Sequence, residues 1–347
     1  MNDYQTAIVF QGGGALGAYE YGVIKALYEE RPGFRPAVVT GISIGAINAA
    51  LLAGANRDPL EVLDEAWRKR FTENLSGPAR MLLGPFFTQE VEQALGVLGN
   101  AGIYQLRQDH LLTPYRRTSI YNLEPLRRTL RELVDDDKLN RSQDTRVVVE
   151  AVNVATGELK CFDNHKERLQ IEHIVASASL PPGFPYTPLG EQSLWDGGLV
   201  ENTPLSQAIN CLEQLDGNSR REVIVVELFP MSGPVPKDMA EVINRIGQLS
   251  AASKLRIDRK LFQTINSLIV FLQKIDPYIP DQLRSDPLYR ALFAQHKKID
   301  ALTVITAHFP EDRSNASDFS HETIESRIKL GYEQAKHQHI GTPHPVE

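Results

Sequence analysis

Two short apolar stretches, Ala7-Ile8-Val9-Phe10 and Ala37-Val38-Val39-Thr40, each run through glycines straight into an apolar helical pattern. That repetition limits the fold more than any other feature of the chain. Strands buried on both faces read as continuous apolar runs, and two of them each feeding a helix make a βαβ unit and a parallel sheet. After Phe10 come Gly12-Gly13-Gly14, then Leu16, Tyr19, Val23, Ala26 and Leu27 at helical spacing. After Thr40 come Gly41-Ile42-Ser43-Ile44-Gly45 and an apolar helix over 46–53. Further strands are expected at 147–149, 223–228 and 302–306. Ala155-Thr156-Gly157-Glu158 reads as a hairpin turn between 147–154 and 159–162.

The rest of the chain adds helices. Thr203 followed by Pro204 predicts a capped helix start, with Leu205, Ala208, Ile209 and Leu212 as its buried stripe. Residues 237–298 read as several helices without a strand, and 320–335 as a final amphipathic helix. With no internal repeat and no clear linker, the expected organisation is one α/β body. It comprises a core over 7–212, C-terminal strands and helices over 213–336 packed on that core, and a loose tail over 337–347.

Composition narrows the function classes. Lys and Arg total 37 against 44 Asp and Glu, a net charge of -7, and no long basic run occurs, which argues against a nucleic-acid partner. Cys161 and Cys211 are too few for a disulfide framework or a cysteine zinc site, and two cysteines fit a reducing compartment. The opening apolar run is too short for a signal peptide and the stretch 268–272 too short to span a bilayer, so a cytoplasmic location is expected. No spacing suggests a metal or cofactor site, and no feature of the chain sets an oligomeric state.

The first glycine segment, Gly12-Gly13-Gly14-Ala15-Leu16-Gly17, contains Gly-x-Gly-x-x-Gly and on its own would suit a dinucleotide. Such a site wants an acid at the end of the second strand to hold the ribose, and this strand ends Thr40-Gly41-Ile42-Ser43. Gly41-Ile42-Ser43-Ile44-Gly45 is instead the pattern of a nucleophile elbow, whose glycines permit the tight turn that projects the serine hydroxyl. The plainer reading of that segment is a glycine-rich turn with a serine helix cap. A serine attacking a carbonyl needs donors for the resulting oxyanion, and the Gly13 and Gly14 amides can supply them. It also needs a base. His308, just after an expected strand, is the best-placed histidine, although a loop histidine is the plainer reading. Asp196-Gly197-Gly198 follows the apolar pair Leu194-Trp195, and alone would be an ordinary Asp-Gly turn.

Taken in order, the three motifs resemble those of the patatin-like phospholipase family, over roughly residues 7–212. The segment Ala176-Ser177-Ala178-Ser179-Leu180-Pro181-Pro182-Gly183-Phe184-Pro185 and the run from Asp196 to Pro204 are similar to bacterial members in particular. The resemblance implies a three-layer α/β/α fold with a mainly parallel central sheet and, here, a helical C-terminal addition. It implies a Ser–Asp dyad of Ser43 and Asp196 without histidine, and an oxyanion hole at Gly12, Gly13 and Gly14. Gly17, Gly41, Gly45, Gly197 and Gly198 support the motifs. The activity implied is a serine lipid acyl hydrolase, phospholipase- or lysophospholipase-like, acting through an acyl-enzyme on a lipid or other acyl ester. One departure is Leu16, where many members carry Arg or Lys, so oxyanion stabilisation rests more on backbone amides.

Segment 81–87 is strongly apolar and reads either as a groove wall or lid, or as core. Lys254, Arg256, Arg259 and Lys260 precede apolar positions at helical spacing, which suits either a packed helix with a solvated basic end or transient contact with an anionic membrane surface. Two other classes stay open. An acyltransferase on a similar core expects His where this chain has Ile42, and a non-catalytic lipid-binding protein would keep the fold without a reactive serine.

Overall fold

The computed structural model describes residues 4–72, 98–107, 118–141, 144–215, 219–310 and 314–346. Segment 81–87, read as groove wall, lid or core, lies outside the described residues. An eight-stranded, mainly parallel sheet forms the middle layer. Its strands are β1 (Tyr4–Phe10), β2 (Val38–Gly41), β3 (Arg146–Asn153), β4 (Leu159–Asp163), β5 (Thr187–Leu189), β6 (Gln192–Asp196), β7 (Arg220–Glu227) and β8 (Ala301–Thr306). The order is β8-β7-β1-β2-β3-β6-β5, with β4 also paired to β3. The run from β8 to β3 is parallel, while β4, β5 and β6 join antiparallel. The expected hairpin is the β3–β4 pair.

Alternation along β1 explains the layers. Ile8 and Phe10 face one core, packed by α1 (Gly17–Glu30), α2 (Ile44–Ala53), α3 (Ile171–Ser177) and α6 (His321–His337). Ala7 and Val9 face the other, covered by α4 (Leu205–Gln214) and the long α5 (Met239–Ile275). Helices on both faces of a mostly parallel sheet give the three-layer α/β/α architecture.

The C-terminal part is woven into this body. β7 pairs along all of β1, and α6 packs on α1. The tail differs from the loose end expected. Ile340 is fully buried, its carbonyl accepts from Arg31 Nε at 3.0 Å, and Leu302 N–H donates to the His344 carbonyl at 3.0 Å. Arg31 is itself paired with buried Glu222 at 2.6 Å, so the tail closes over an ion pair that would otherwise meet water. Polar composition hides this, because tertiary hydrogen bonds rather than an apolar stripe hold the segment. One expected boundary also moves: α4 starts at Leu205, so Pro204 rather than Thr203 occupies the cap position, with no side-chain capping hydrogen bond.

Candidate active site

Strand register decides which residues meet. β2 and β6 share one edge of β3, β2 along residues 146–149 and β6 along 151–153. Gly41 pairs with Val149, and Asp196 pairs with Ala151, two residues further along. Ser43 lies two residues past Gly41, and therefore at the level of Asp196. Residues 153 apart in sequence are brought together by one shared strand.

Ser43 sits at φ 57 and ψ -123, one of two non-glycine residues with positive φ among the described residues. Such a conformation costs about 1–3 kcal/mol and persists only where the surroundings enforce it. Here they do. A Cβ at Gly41 would lie 2.3 Å from the Gly45 carbonyl oxygen, and one at Gly45 would lie 2.6 Å from that of Phe10. The elbow closes only because both positions lack side chains. Ser43 N–H donates to Ser177 Oγ at 3.0 Å, which holds the turn from α3.

Asp196 is 2 % exposed, at the end of β6. One carboxyl oxygen, Oδ1, accepts from Gly198 N–H at 2.8 Å, and the Asp196 N–H donates to the Ser179 carbonyl. Oδ2 is buried and makes no hydrogen bond of ordinary geometry. Burial pushes the carboxyl pKa up to about 7, with the Ser43 hydroxyl beside it and the Gly198 amide pulling the other way. The arrangement leaves a basic oxygen unfilled next to a strained serine. Hydroxyl-to-base contacts of this kind often tighten only when substrate is bound.

The glycine loop lies over the serine: a Cβ at Gly12 would be 3.2 Å from that of Ser43. Gly12 differs from the expectation that it shares the oxyanion role. Its N–H donates to the Asn202 carbonyl at 3.1 Å, and its own carbonyl accepts from Asn202 Nδ2 at 3.0 Å. The Gly13 and Gly14 amides make no such backbone bond among the described residues. Gly14 adopts φ +55, and a Cβ there would strike the Ala316 carbonyl oxygen. Gly17 opens α1 against Ile44, while Gly197 lies on the Glu150 carbonyl.

Several supporting residues carried no role in the sequence reading. Asn202 clamps the loop, and Gln11 bridges Thr203 Oγ1 at 2.7 Å and Leu228 N–H at 2.6 Å. Beneath them, buried Glu20 accepts from Gln11 N–H and Asn48 Nδ2, and Asn48 also accepts from Trp67 Nε1. Asn202 lies inside the segment running from Asp196 to Pro204, so proximity to a motif was its only signal. Partners of Gln11, 192 and 217 residues away, leave no trace in local sequence.

His308 is exposed, and its Nδ1 lies 3.0 Å from the Thr306 carbonyl oxygen. No hydrogen bond links it to Ser43 or Asp196 among the described residues. It borders instead a cavity of about 320 Å³ walled by Leu16, Leu228, Phe229 and Phe309, with Arg245 at one side. Leu228 and Phe229 also flank Gly13, so this apolar space adjoins the glycine loop. Leu16 thus faces a cavity wall rather than solvent. A larger cleft of about 460 Å³, among Arg57, Glu61, Asp64, Glu65 and Lys69, is too charged to suit an acyl chain.

The patatin-like phospholipase family model matches residues 8–209, more than half of the chain. The chain belongs to the patatin-like phospholipase family. Its fold has the family's mainly parallel sheet with flanking helices. Solved structures similar to this patatin-like chain include VipD from Legionella pneumophila, at 15% identity and TM-score 0.41, covering 97% of this chain and 66% of that one. Human GIVD cytosolic phospholipase A2 is 13% identical with TM-score 0.43, covering 98% and 60%. ExoU, in its heterodimeric complex with SpcU from Pseudomonas aeruginosa, is 14% identical with TM-score 0.32, covering 96% and 52%. The chain thus spans between about half and two thirds of those proteins' lengths. No curated protein matches it in sequence.

On the other face of β3 lies a buried acid that the site does not use. Glu150 is fully buried, with neither carboxyl oxygen in a hydrogen bond of ordinary geometry. Burial, reinforced by the Glu201 charge, pushes its pKa up to about 8, against the nearby Gln207 amide. A raised carboxyl pKa favours the folded state at low pH. That contribution is complete below the unfolded value near ~4.3 and is lost as pH rises through about 8. Glu150→Gln should therefore melt higher than the parent by roughly a few degrees at pH 9, and gain less at pH 5. Thermal melts of both proteins at the two pH values check this, and an equal difference at both would contradict it.

Proposed function

We propose that this protein is a serine hydrolase of lipid acyl esters, with Ser43 as nucleophile and Asp196 as its base. The observation that carries the reading is the pairing of a strained, projecting Ser43 with a buried, partly unfilled Asp196 carboxylate beneath two glycine amides. Asp196 takes the Ser43 proton as Oγ bonds to the ester carbonyl carbon. The oxyanion is held by the Gly13 and Gly14 N–H groups, a donor pair aimed at charge that develops only during reaction. Collapse breaks the ester bond, and Asp196 returns the proton to the departing alcohol. Water then attacks the acyl-enzyme while Asp196 takes its proton, and breakdown frees the fatty acid and restores Ser43.

The cavity bounded by Leu16, Leu228 and Phe229 suits an acyl chain, since burying one there removes apolar surface from water at about 25 cal/mol per Å². A Leu at position 16 fits this better than a cation would. The reading also favours hydrolase over acyltransferase, because Ile42 leaves no imidazole beside the serine.

The test is fatty-acid release from a panel of phospholipids, lysophospholipids and neutral esters, with fluorophosphonate labelling alongside. Labelling at Ser43 together with release from at least one lipid is expected. A folded protein that neither labels nor releases acid would be a binding protein. Hydrolysis should continue in EDTA, as no cluster of three or more His, Cys, Asp or Glu among the described residues is arranged to hold a metal. Complete loss in EDTA, restored by added metal, would overturn the metal-free dyad.

A further inference from the structure

The helix α5 runs for 37 residues, about 55 Å at 1.5 Å per residue. One face is packed: Ala252, Leu255 and Phe262 are buried, and Asn266 bonds both the N–H and the carbonyl of Ile299. The opposite face would be polar in a helix that merely covers a core. Instead Met239, Ile246, Ile257, Leu261, Leu268 and Phe271 are between 56% and 73% exposed. At 3.6 residues per turn these six fall within roughly a third of the helix circumference, forming an apolar stripe interrupted by Ser250, Ser253 and Thr264.

Charge runs along the stripe. Within α5 there are six basic residues (Arg245, Lys254, Arg256, Arg259, Lys260 and Lys274) against Glu241 and Asp258, a net charge of 6 − 2 = +4. The whole chain carries -7, so the remainder outside α5 is -11. Arg256, Lys260 and Lys274 are exposed and, at that periodicity, flank one edge of the stripe. The helix is also tied to the site. Lys254 Nζ lies 3.5 Å and 3.4 Å from the Gly198 and Leu199 carbonyl oxygens beside Asp196, and Arg245 lines the cavity behind Gly13. Leu199 and Val200, next to Asp196, are themselves exposed.

We infer that the outer face of α5 is a docking surface for an anionic lipid bilayer, lying in its interface with the catalytic mouth beside it. The inference rests on the lipid-hydrolase reading only for why the site should face a membrane. Apolar side chains enter the headgroup–acyl boundary, and the basic edge meets anionic headgroups. Among the described residues no helix is long and apolar enough to cross a membrane, which agrees with lying on one. A second copy is disfavoured as the occupant, because a symmetric pair would bring the basic edges formed by Arg256, Lys260 and Lys274 of two copies onto one interface.

Flotation with phosphatidylcholine vesicles, and with equimolar phosphatidylcholine–phosphatidylglycerol vesicles, tests this on the full chain. The parent should bind the anionic vesicles at least about tenfold more strongly than the neutral ones. Ile257→Asp/Leu261→Asp and, separately, Arg256→Glu/Lys260→Glu should each lower that binding about tenfold or more. Both should keep parental circular dichroism and hydrolyse soluble p-nitrophenyl butyrate within about twofold of the parent. Absence of vesicle binding by the parent, or unchanged binding by both folded variants, overturns the docking surface. So does a parental dimer, seen by light scattering, that Ile257→Asp/Leu261→Asp splits. A parent that binds anionic vesicles through these residues yet hydrolyses no ester supports the docking surface while sinking the hydrolase reading.

Discussion

Replacing Ser43 by Ala is expected to lower ester hydrolysis by about 10⁴-fold or more while leaving the protein folded. Losing a nucleophile leaves only what substrate binding and oxyanion donors accomplish with water, and in serine hydrolases that residue of activity is small. The fold should tolerate the change. The Ser43 backbone N–H donates to Ser177 Oγ and its carbonyl accepts from the Ala46 and Ile47 N–H groups, bonds that alanine retains. The positive φ costs alanine about what it costs serine, so the melting temperature should stay within a few degrees. The measurement is fatty-acid release by the purified variant, with circular dichroism as the fold control. Turnover comparable to the parent would falsify the assignment of Ser43.

Asp196→Asn separates the dyad from a hidden triad. The amide keeps the size of the carboxyl group, and its oxygen can still accept from Gly198 N–H, but it cannot take the Ser43 proton. Lost general-base catalysis is worth about 10²–10⁴-fold, so kcat should fall within or beyond that range. His308→Ala should stay within about tenfold, because the imidazole is exposed and bonded near its own strand end. The pH profile provides a second readout. With the Asp196 pKa pushed up to about 7, the working base is the deprotonated form, so kcat/KM should rise with pH through about 7 and then level off. An unperturbed histidine near ~6.5 would give a similar limb, so the paired variants rather than the profile decide. Should His308→Ala prove as inactive as Asp196→Asn, with both folded, a Ser-His-Asp arrangement must replace the dyad.

Much of the fold is legible locally. The apolar runs of β1, β2 and β3 announce buried strands because both of their faces are covered, and the glycines after β1 and β2 mark where backbone must turn sharply. The elbow around Ser43 is readable in part for the same reason, since Gly41 is required by a contact four residues away, whereas Gly45 is required by the backbone of distant Phe10. Asp196-Gly197-Gly198 is ambiguous in isolation and informative only in the company of the other two motifs. The docked tail, the Gln11 bridge and the clamp from Asn202 were not legible, because each depends on partners far off in sequence.

By itself the sequence determined the βαβ start, the tight turn at Ser43 and the kinds of group available for catalysis, all matters of local backbone sterics and apolar periodicity. Only the tertiary structure decided that Gly12 spends its N–H on Asn202 and that His308 borders a cavity. It alone left the apolar stripe of α5 facing outward. It also decided that Asp196 stands level with Ser43. That meeting depends on β2 and β6 sharing one edge of β3 in a particular register, and register is set by pairing between distant strands, which no local pattern records.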